Sequence, residues 1–185
     1  MYSIRTIVEE SPENIAVMDV FSRLIQNRII FIDDVITDEL ANGVIAQMLY
    51  LDSIGNDTIN IYINSPGGQI LQGLAIYDIS KLVKSPIRTV CVGYAASMAG
   101  ILMLMGEKRE GLKHSRIMLH EPSDWIRGKA TDIRVSVTEM EIAEKQLYDI
   151  IKEYTNIINP EKLLVKDTWY SAIEALKVNI LTKVL

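Results

Sequence analysis

The stretch "INIYINSPGG", residues 59–68, places a strand pattern directly before a turn. The segment from Ile59 to Ser65 is typical of a β-strand, and Ser-Pro-Gly-Gly ends it before a predicted helix from about Gln69 to Lys84. Similar strand patterns occur on both sides of it, namely "RIIFI" (28–32), "IRTVCVG" (87–93) and "RIMLH" (116–120). Strands that alternate with helices predict an α/β domain built from crossover units.

Helix signals lie between and after these strands. Thr37 is placed to cap the next helix, and four apolar residues predict its buried face: Leu40, Val44, Met48 and Leu51. A longer pattern predicts a helix from about Thr131 to Asn156, which can cross the domain or protrude from it; its apolar stripe is Ile133, Val137, Met140, Leu147, Ile151 and Tyr154. After it, "DTWYS" (167–171) is extended, and Asn179 ends a last short helix in a left-handed conformation.

The composition bounds the class of protein. A chain of 185 residues is the size of one domain. Its net charge is −5, and it has no basic cluster of the kind that nucleic-acid binding requires. The longest apolar run, around Ala95 to Met105, is shorter than the roughly 20 residues that span a bilayer. We therefore expect neither nucleic acid nor a membrane as a partner.

Cysteine usage and hydropathy add two expectations. The one cysteine, Cys91, can form no internal disulfide and no metal cluster, which favours a small buried residue in a reducing, cytoplasmic protein. Hydrophobic residues make up 49% of the chain, although no segment would span a membrane. Part of the apolar surface is therefore expected to be covered by other subunits.

Three predicted strand ends carry groups suited to acyl transfer. His120, one of two histidines in the chain, ends a strand and precedes Glu121-Pro122, and proline forces an extended exit. Ser97 follows another strand and opens a helix, where backbone amides are unpaired, and Gly67-Gly68 follows a third strand. A hydroxyl, an imidazole and free amides are the components of nucleophilic catalysis through an oxyanion.

These residues alone leave other interpretations open. A serine between alanines is commonly a packing residue, a lone histidine is commonly structural, and Gly-Gly is commonly only a turn. The stretch "SPGGQILQGLA" contains no phosphate-binding glycine motif. Nor does "YAASMAG" fit the G-x-S-x-G elbow of α/β-hydrolases, because Ala95 and Ala99 occupy the glycine positions.

Six segments in order resemble one known family. They are "FSRLIQNRIIFI", "IYINSPGG", "AASMAG", "SRIMLHEP", "GKATDI" and "KDTWYSAIEA", and together they resemble the ClpP family, the proteolytic subunits of ATP-dependent Clp proteases. The resemblance implies a single ClpP/crotonase-like domain over residues 1–185, built from stacked ββα units. It also implies an axial loop region at residues 1–18 and a protruding handle at about residues 123–158.

The resemblance implies roles for individual residues. Ser97 matches the nucleophile, His120 the general base and Asp167 the acid that orients the histidine. Gly68 and Met98 match the residues whose backbone amides form the oxyanion hole. The implied reaction is endopeptidase cleavage of unfolded polypeptides by a Ser-His-Asp triad, with no metal and no cofactor in this chain.

The resemblance also implies an assembly and a partner. Handles would join two seven-membered rings into a homo-tetradecamer that encloses a chamber. An AAA+ unfoldase of the ClpX or ClpA/ClpC type would feed the chamber and would be the component that uses ATP. Two other classes stay open: a non-catalytic ClpP-like scaffold subunit in a mixed ring, and a crotonase-type acyl-CoA enzyme.

Departures from the family pattern affect the substrate cleft and the ring contact. The cleft is expected to contain Gly67, Glu121, Ser123, Asp124 and Trp125, of which Glu121 replaces a glutamine and "SDW" a Leu-Gly-Gly segment.

The residues expected at the ring contact are Lys129, Asp132 and Lys166. Lys166 stands where the family has an arginine, and a lysine cannot form a bidentate fork with a carboxylate. We therefore expect a weaker link between ring contact and triad geometry than in the family.

Overall fold

The centre of the molecule is a largely parallel β-sheet, seen in a computed structural model that describes residues 6–11, 14–123 and 127–185. The strands are β1 Thr6–Ser11, β2 Asn14–Asp19, β3 Ile29–Ile32, β4 Ile59–Ser65, β5 Ile87–Ala96, β6 Lys108–Gly111, β7 Arg116–Leu119, β8 Thr168–Ser171 and β9 Lys183–Val184. The helices are α1 Val20–Gln26, α2 Asp38–Ile54, α3 Ile70–Leu82, α4 Met98–Leu102, α5 Ala130–Tyr154, α6 Pro160–Leu163 and α7 Ala172–Lys177. This alternation confirms the α/β prediction.

The sheet divides at β5. Strands pair in the order β3-β4-β5-β6-β9, all parallel, and β5 also pairs with β7, which pairs antiparallel with β8. The first half of β5 lies beside β6 and its last three residues lie beside β7, because the register against β4 shifts between Ile63 and Ser65. At the shift, the Tyr94 amide donates to Asn64 Oδ1 over 3.2 Å. The carboxyl end of β5 is thereby placed next to β7.

Helix α2 forms as its sequence predicts. The Thr37 hydroxyl accepts from the Leu40 amide, which satisfies one of the unpaired donors of the first turn. Val44, Met48 and Leu51 are buried, whereas Leu40 is only half-buried. The predicted helix after the Gly-Gly turn is α3, which begins one residue later and ends two residues earlier than predicted.

The long helix α5 is the helix predicted from about Thr131 to Asn156, and it begins one residue earlier and ends two residues earlier than predicted. Its second half packs on the core through five buried residues: Ala143, Leu147, Tyr148, Ile150 and Ile151. Its first half leaves the core: Val137, a member of the apolar stripe, is 42% exposed, and Val135 is 63% exposed. The helix therefore protrudes rather than crossing the domain.

The amino-terminal segment contains strands and a helix that the sequence patterns did not predict, whereas the end of the last helix agrees with its prediction. Within the described residues, β1 and β2 form an antiparallel pair in the segment expected to be the axial loop region, and α1 follows them. Asn179 has a φ of 59°, as predicted for the end of the last helix. Among the described residues, no helix is both long and apolar enough to cross a bilayer.

Candidate active site

Ser97 lies in a strained turn between β5 and α4. Its φ is 56° and its ψ is −126°, a conformation that costs a non-glycine residue on the order of 1–3 kcal/mol and persists only where its surroundings enforce it. The Ser97 amide donates to Met118 O of β7 over 2.9 Å, and its carbonyl accepts from Gly100 N over 2.9 Å. Both bonds fix the turn and direct the hydroxyl towards the end of β7.

His120 follows β7 and meets this hydroxyl. Its Nε2 lies 2.8 Å from Ser97 Oγ, a normal hydrogen-bond distance. The Glu121 amide, next along the chain, donates to Leu164 O over 2.8 Å. The backbone at His120 is thus held by β7 on one side and by the segment before β8 on the other.

Asp167 reaches the other nitrogen of the same imidazole. In the antiparallel pair of β7 and β8, Leu119 is the partner of Thr168, so Asp167 stands opposite His120. Asp167 Oδ1 lies 3.5 Å from His120 Nδ1, an ion-pair distance longer than a good hydrogen bond, and the Asp167 side chain is 66% exposed. The structure therefore brings all three expected triad residues together, with Asp167 the most loosely held.

The Gly67-Gly68 turn lies directly beside Ser97. Gly67 has a φ of 94°, and a Cβ on it would lie 2.5 Å from Ala96 O and 2.9 Å from Met98 N, so only glycine fits here. Ile36 holds this turn: its amide donates to Gly67 O over 2.8 Å, and its carbonyl accepts from Gln69 N over 2.9 Å.

Two backbone amides are available as donors at this turn: within the described residues, those of Gly68 and Met98 have no hydrogen-bond acceptor. The Gly68 amide takes no part in the Ile36 contact. Met98 is the first residue of α4, so its amide has no acceptor within the helix. Both residues border the same cavity as Ser97 and His120, where a developing oxyanion would need donors.

That cavity has a volume of about 160 Å³. Ser97 and His120 lie at its polar side, and the remaining wall is largely apolar, formed by Ile70, Met98, Ile101, Leu119, Pro122 and Leu147. Leu147 comes from the buried half of α5. The cavity can therefore accept one apolar side chain next to the reacting atoms.

A wider groove of about 610 Å³ continues from this cavity, sharing Gly68, Ile70 and Ser123 with it. It runs between the start of α3 and the protruding half of α5, which contributes Glu139 and Met140. An extended peptide could therefore continue past the apolar cavity along this groove.

The remaining cleft predictions have mixed outcomes. Ser123 lines both cavities, whereas Gly67 lines neither of them and lies against Ala96 and Met98. Glu121 is exposed and is anchored through its backbone. Asp124 and Trp125 lie outside the described residues.

The expected ring-contact residues are not brought together within one chain. Lys129 precedes α5, and Asp132 lies in its first turn. Lys166 lies in the loop before β8, where its carbonyl accepts from the Thr168 hydroxyl. Among the ion pairs of the described residues, none joins Asp132 to Lys166. A contact between two copies of the chain stays a prediction.

Cys91 is a buried thiol outside this site. It is fully buried in β5, and its Sγ lies 3.7 Å from Arg116 O. Burial raises the pKa of the Cys91 thiol to about 11, so the group is neutral at pH 7. The prediction of a small buried residue is confirmed. Among the described residues, no three His, Cys, Asp or Glu side chains form a group that could hold a metal ion.

Three contributors to the site carry no motif that sequence reasoning could use. Ile36 holds the Gly-Gly turn through backbone atoms alone, so its side chain gives no signal. Leu147 lines the cavity but belongs to a stripe that predicts only a helix face. Thr168 holds the turn around Asp167 through its hydroxyl, and a threonine at the start of a strand is unremarkable in a sequence.

Several known proteins similar to this chain are named as proteolytic subunits of a Clp protease. A family model described as Clp protease matches residues 11–185. The ATP-dependent Clp protease proteolytic subunit of Porphyromonas gingivalis is 43% identical over 190 residues, covering 100% of this chain and 85% of that protein. The same-named protein of Bacteroides fragilis is 42% identical over 186 residues, covering 97% of this chain and 89% of that protein. The ATP-dependent Clp protease proteolytic subunit 1 of Salinibacter ruber is 42% identical over 184 residues, covering 97% and 79%.

Proposed function

The chain belongs to the Clp protease family and is a Clp-type serine peptidase, and we propose that Ser97 is its nucleophile, His120 its general base and Asp167 the acid that orients the base. The distance of 2.8 Å between Ser97 Oγ and His120 Nε2 is the observation that supports this assignment most strongly. Nucleophile and base are already within proton-transfer reach.

The reaction follows from the geometry. His120 Nε2 takes the proton of Ser97 Oγ as that oxygen attacks a peptide carbonyl, and it then passes the proton to the leaving amine. Asp167 favours the tautomer with the proton on Nδ1 and stabilises the imidazolium that forms. The Gly68 and Met98 amides donate to the oxyanion. Water then attacks the acyl-enzyme: His120 takes a proton from the water and returns it to Ser97 Oγ as the ester bond breaks.

Replacement of the nucleophile tests this assignment. Ser97→Ala is expected to abolish hydrolysis of a fluorogenic peptide while the oligomer mass stays unchanged. Ser53→Ala is a matched control, because Ser53 is exposed on α2 and its hydroxyl donates to Tyr50 O of its own helix. Unchanged turnover in purified Ser97→Ala would overturn the assignment.

The cavity beside Ser97 supports an unfolded polypeptide as the substrate. Its apolar wall would take one side chain next to the scissile bond, and the adjoining groove would hold the extended chain that follows. A peptide series that varies only this side chain should show higher kcat/KM for leucine or methionine than for aspartate or lysine. Equal values for all four would exclude the cavity from substrate selection.

Exposed apolar side chains support the assembly into two seven-membered rings joined by handles. They occur on α2, on β8 and α7, and on the protruding half of α5; examples are Tyr50, Ile54, Trp169, Ile173, Val135 and Ile142. Large apolar groups on separate faces suit a subunit that contacts several copies of itself. Native mass measurement should give fourteen times the subunit mass of 20.9 kDa.

An AAA+ unfoldase of the ClpX or ClpA/ClpC type would supply unfolded chains to this chamber. The relatives are named ATP-dependent, and the proposed reaction in this chain uses only side chains, backbone amides and water. ATP would thus be consumed by the partner, in the cytoplasm, and this chain would need no cofactor. Degradation of a folded protein should require both the unfoldase and ATP, whereas hydrolysis of a short peptide should require neither.

The intact pair of Ser97 and His120 gives no support to a scaffold role, and family membership does not favour a crotonase-type enzyme.

A further inference from the structure

Asp167 needs a support other than burial or its histidine partner. The carboxylate is 66% exposed and meets His120 at 3.5 Å, so neither packing nor a short hydrogen bond fixes it. We propose that the Thr168 hydroxyl is the positioning group for Asp167, because it holds the turn that presents this carboxylate to His120. This inference rests on the proposed role of Asp167 in peptide hydrolysis.

The Thr168 hydroxyl joins the two arms of the turn. Its Oγ1 lies 3.1 Å from Leu163 O, at the end of α6, and 3.1 Å from Lys166 O, the residue just before Asp167. One hydroxyl proton is therefore shared between two carbonyls that flank the segment from Leu164 to Lys166. Local bonds of this kind from threonine to the backbone fix turns in place of helix or sheet bonds.

The turn lies between two fixed connections to the histidine strand. On one side, Thr168 is the partner of Leu119 in the β7–β8 pair. On the other, Leu164, which is buried, accepts from Glu121 N over 2.8 Å. Between these connections Val165, Lys166 and Asp167 are all exposed. Packing contributes little over those three residues, so the hydroxyl is the main internal restraint on the direction of the Asp167 side chain.

Displacing this carboxylate would affect catalysis more than folding. The triad requires Asp167 to hold His120 in one tautomer and one orientation, and misplacement of a catalytic group by about 1 Å can cost on the order of 10²-fold in rate. The turn is at the surface, where loss of one shared hydrogen bond has a small effect on stability. Thr168 is thus a positioning residue that acts through Asp167.

The test compares isosteric variants. Thr168→Val keeps the shape of the side chain and removes the hydroxyl, and Thr168→Ser keeps the hydroxyl and removes the methyl group. We expect Thr168→Val to lower kcat about 10- to 10²-fold, with KM within about twofold of wild type. We expect Thr168→Ser to keep kcat within about threefold. Wild-type kcat in Thr168→Val would overturn the proposal.

A double-mutant cycle separates positioning from general support of the site. In an Asp167→Asn background, Thr168→Val should lower the residual kcat less than about twofold, because the carboxylate that it positions is already gone. An equal loss in both backgrounds would contradict action through Asp167.

Failure of the further inference can be told apart from failure of the proposed function. If Asp167→Asn itself leaves kcat unchanged, the proposed triad is wrong; if Asp167→Asn lowers kcat and Thr168→Val does not, only the role of Thr168 is wrong.

Folding controls keep the experiment decisive. Each variant is measured after its oligomer mass and melting temperature are shown to match wild type. If Thr168→Val does not assemble, Thr168→Ala replaces it, since it removes the same hydroxyl without placing a methyl group against the two carbonyls. If Thr168→Ser also fails to assemble, the residue is needed for folding, and the proposal is overturned.

Discussion

The two ends of the proposed triad are held in different ways. Ser97 lies in a strained turn that is fixed by β7, by α4 and by the glycine turn beneath it. Asp167 lies on an exposed turn, in which the Thr168 hydroxyl donates to Leu163 O and Lys166 O, and it meets His120 at 3.5 Å. We infer from this difference that the fold itself fixes the proposed nucleophile, whereas the proposed orienting acid depends on a local restraint that single substitutions can loosen.

The largest expected effect comes from replacing Ser97 with glycine, which removes the hydroxyl and also releases the backbone strain. Ser97→Gly should lower peptide hydrolysis by at least about 10⁴-fold, because the nucleophile is lost. It should also raise the free energy of unfolding by about 1 kcal/mol, since glycine adopts a positive φ without cost. Chemical denaturation, with Ser97→Ala as the strained control, measures the second effect. Equal stability of the two variants would show that the turn is not strained.

The next effect concerns the glycine turn beneath Ser97. A side chain at Gly67 would press against Ala96 O and Met98 N, so Gly67→Ala must displace the turn or the nucleophile. We expect kcat to fall by about 10² to 10³-fold through the oxyanion donors. We expect the free energy of unfolding to fall by about 2 kcal/mol. Gly43→Ala is the control, because nothing lies within 4 Å of a Cβ there.

A smaller effect on stability is expected at the other end. Asp167→Asn should lower kcat by about 10⁴-fold, less than the loss of about 10⁶-fold expected when a triad nucleophile is removed, since the carboxylate orients His120 without reacting. Stability should change by less than about 0.5 kcal/mol, because the side chain is exposed and its loss leaves no cavity. A large drop in melting temperature would show that Asp167 supports the fold, which would remove the contrast between the two ends.

The smallest effect is a dependence of stability on acid. Asp52 accepts from the Ser85 hydroxyl and from the Lys84 and Ser85 amides, and these bonds lower the pKa of its carboxyl in the folded chain. Because the pKa of Asp52 is lower in the folded chain than in the unfolded chain, the carboxylate adds stability at pH values above its ordinary pKa of about 3.9. This stability is lost as the pH falls from that value through the lower pKa of the folded chain. Asp52→Asn should therefore flatten the acid side of the stability profile in denaturation experiments. If stability depends on pH in Asp52→Asn as it does in wild type, carboxylates other than Asp52 are responsible for the loss of stability in acid.

Sequence patterns indicated candidate residues at the end of the site that the fold fixes, although they left other interpretations of those residues open. Ser97 and Gly67-Gly68 follow predicted strands and His120 ends one, and parallel strands bring such ends to one edge of a sheet. Asp167 could not be found in this way, because it is one of 24 acidic residues and precedes a short strand without a distinctive pattern. Only the resemblance to a family identified it.

Parts of the fold could not be predicted from the sequence for a similar reason. Strand β6 contains Arg109 and Glu110, which are usually exposed residue types, yet both are buried here. Arg109 donates to backbone carbonyls, among them Ile180 O and Asn179 O, while Glu110 pairs with Arg88. A pattern based on apolar residues cannot predict burial that depends on such distant partners. The same limit applies to α5, whose apolar stripe does not show where the helix leaves the core.

The most direct test of the account is covalent labelling of the assembled wild-type protein with a fluorophosphonate probe, read by mass spectrometry. We expect one adduct per chain, located on Ser97, and almost none in His120→Ala, because the base that activates the hydroxyl is absent. Assembled, folded protein that carries no adduct on Ser97 would contradict the central claim.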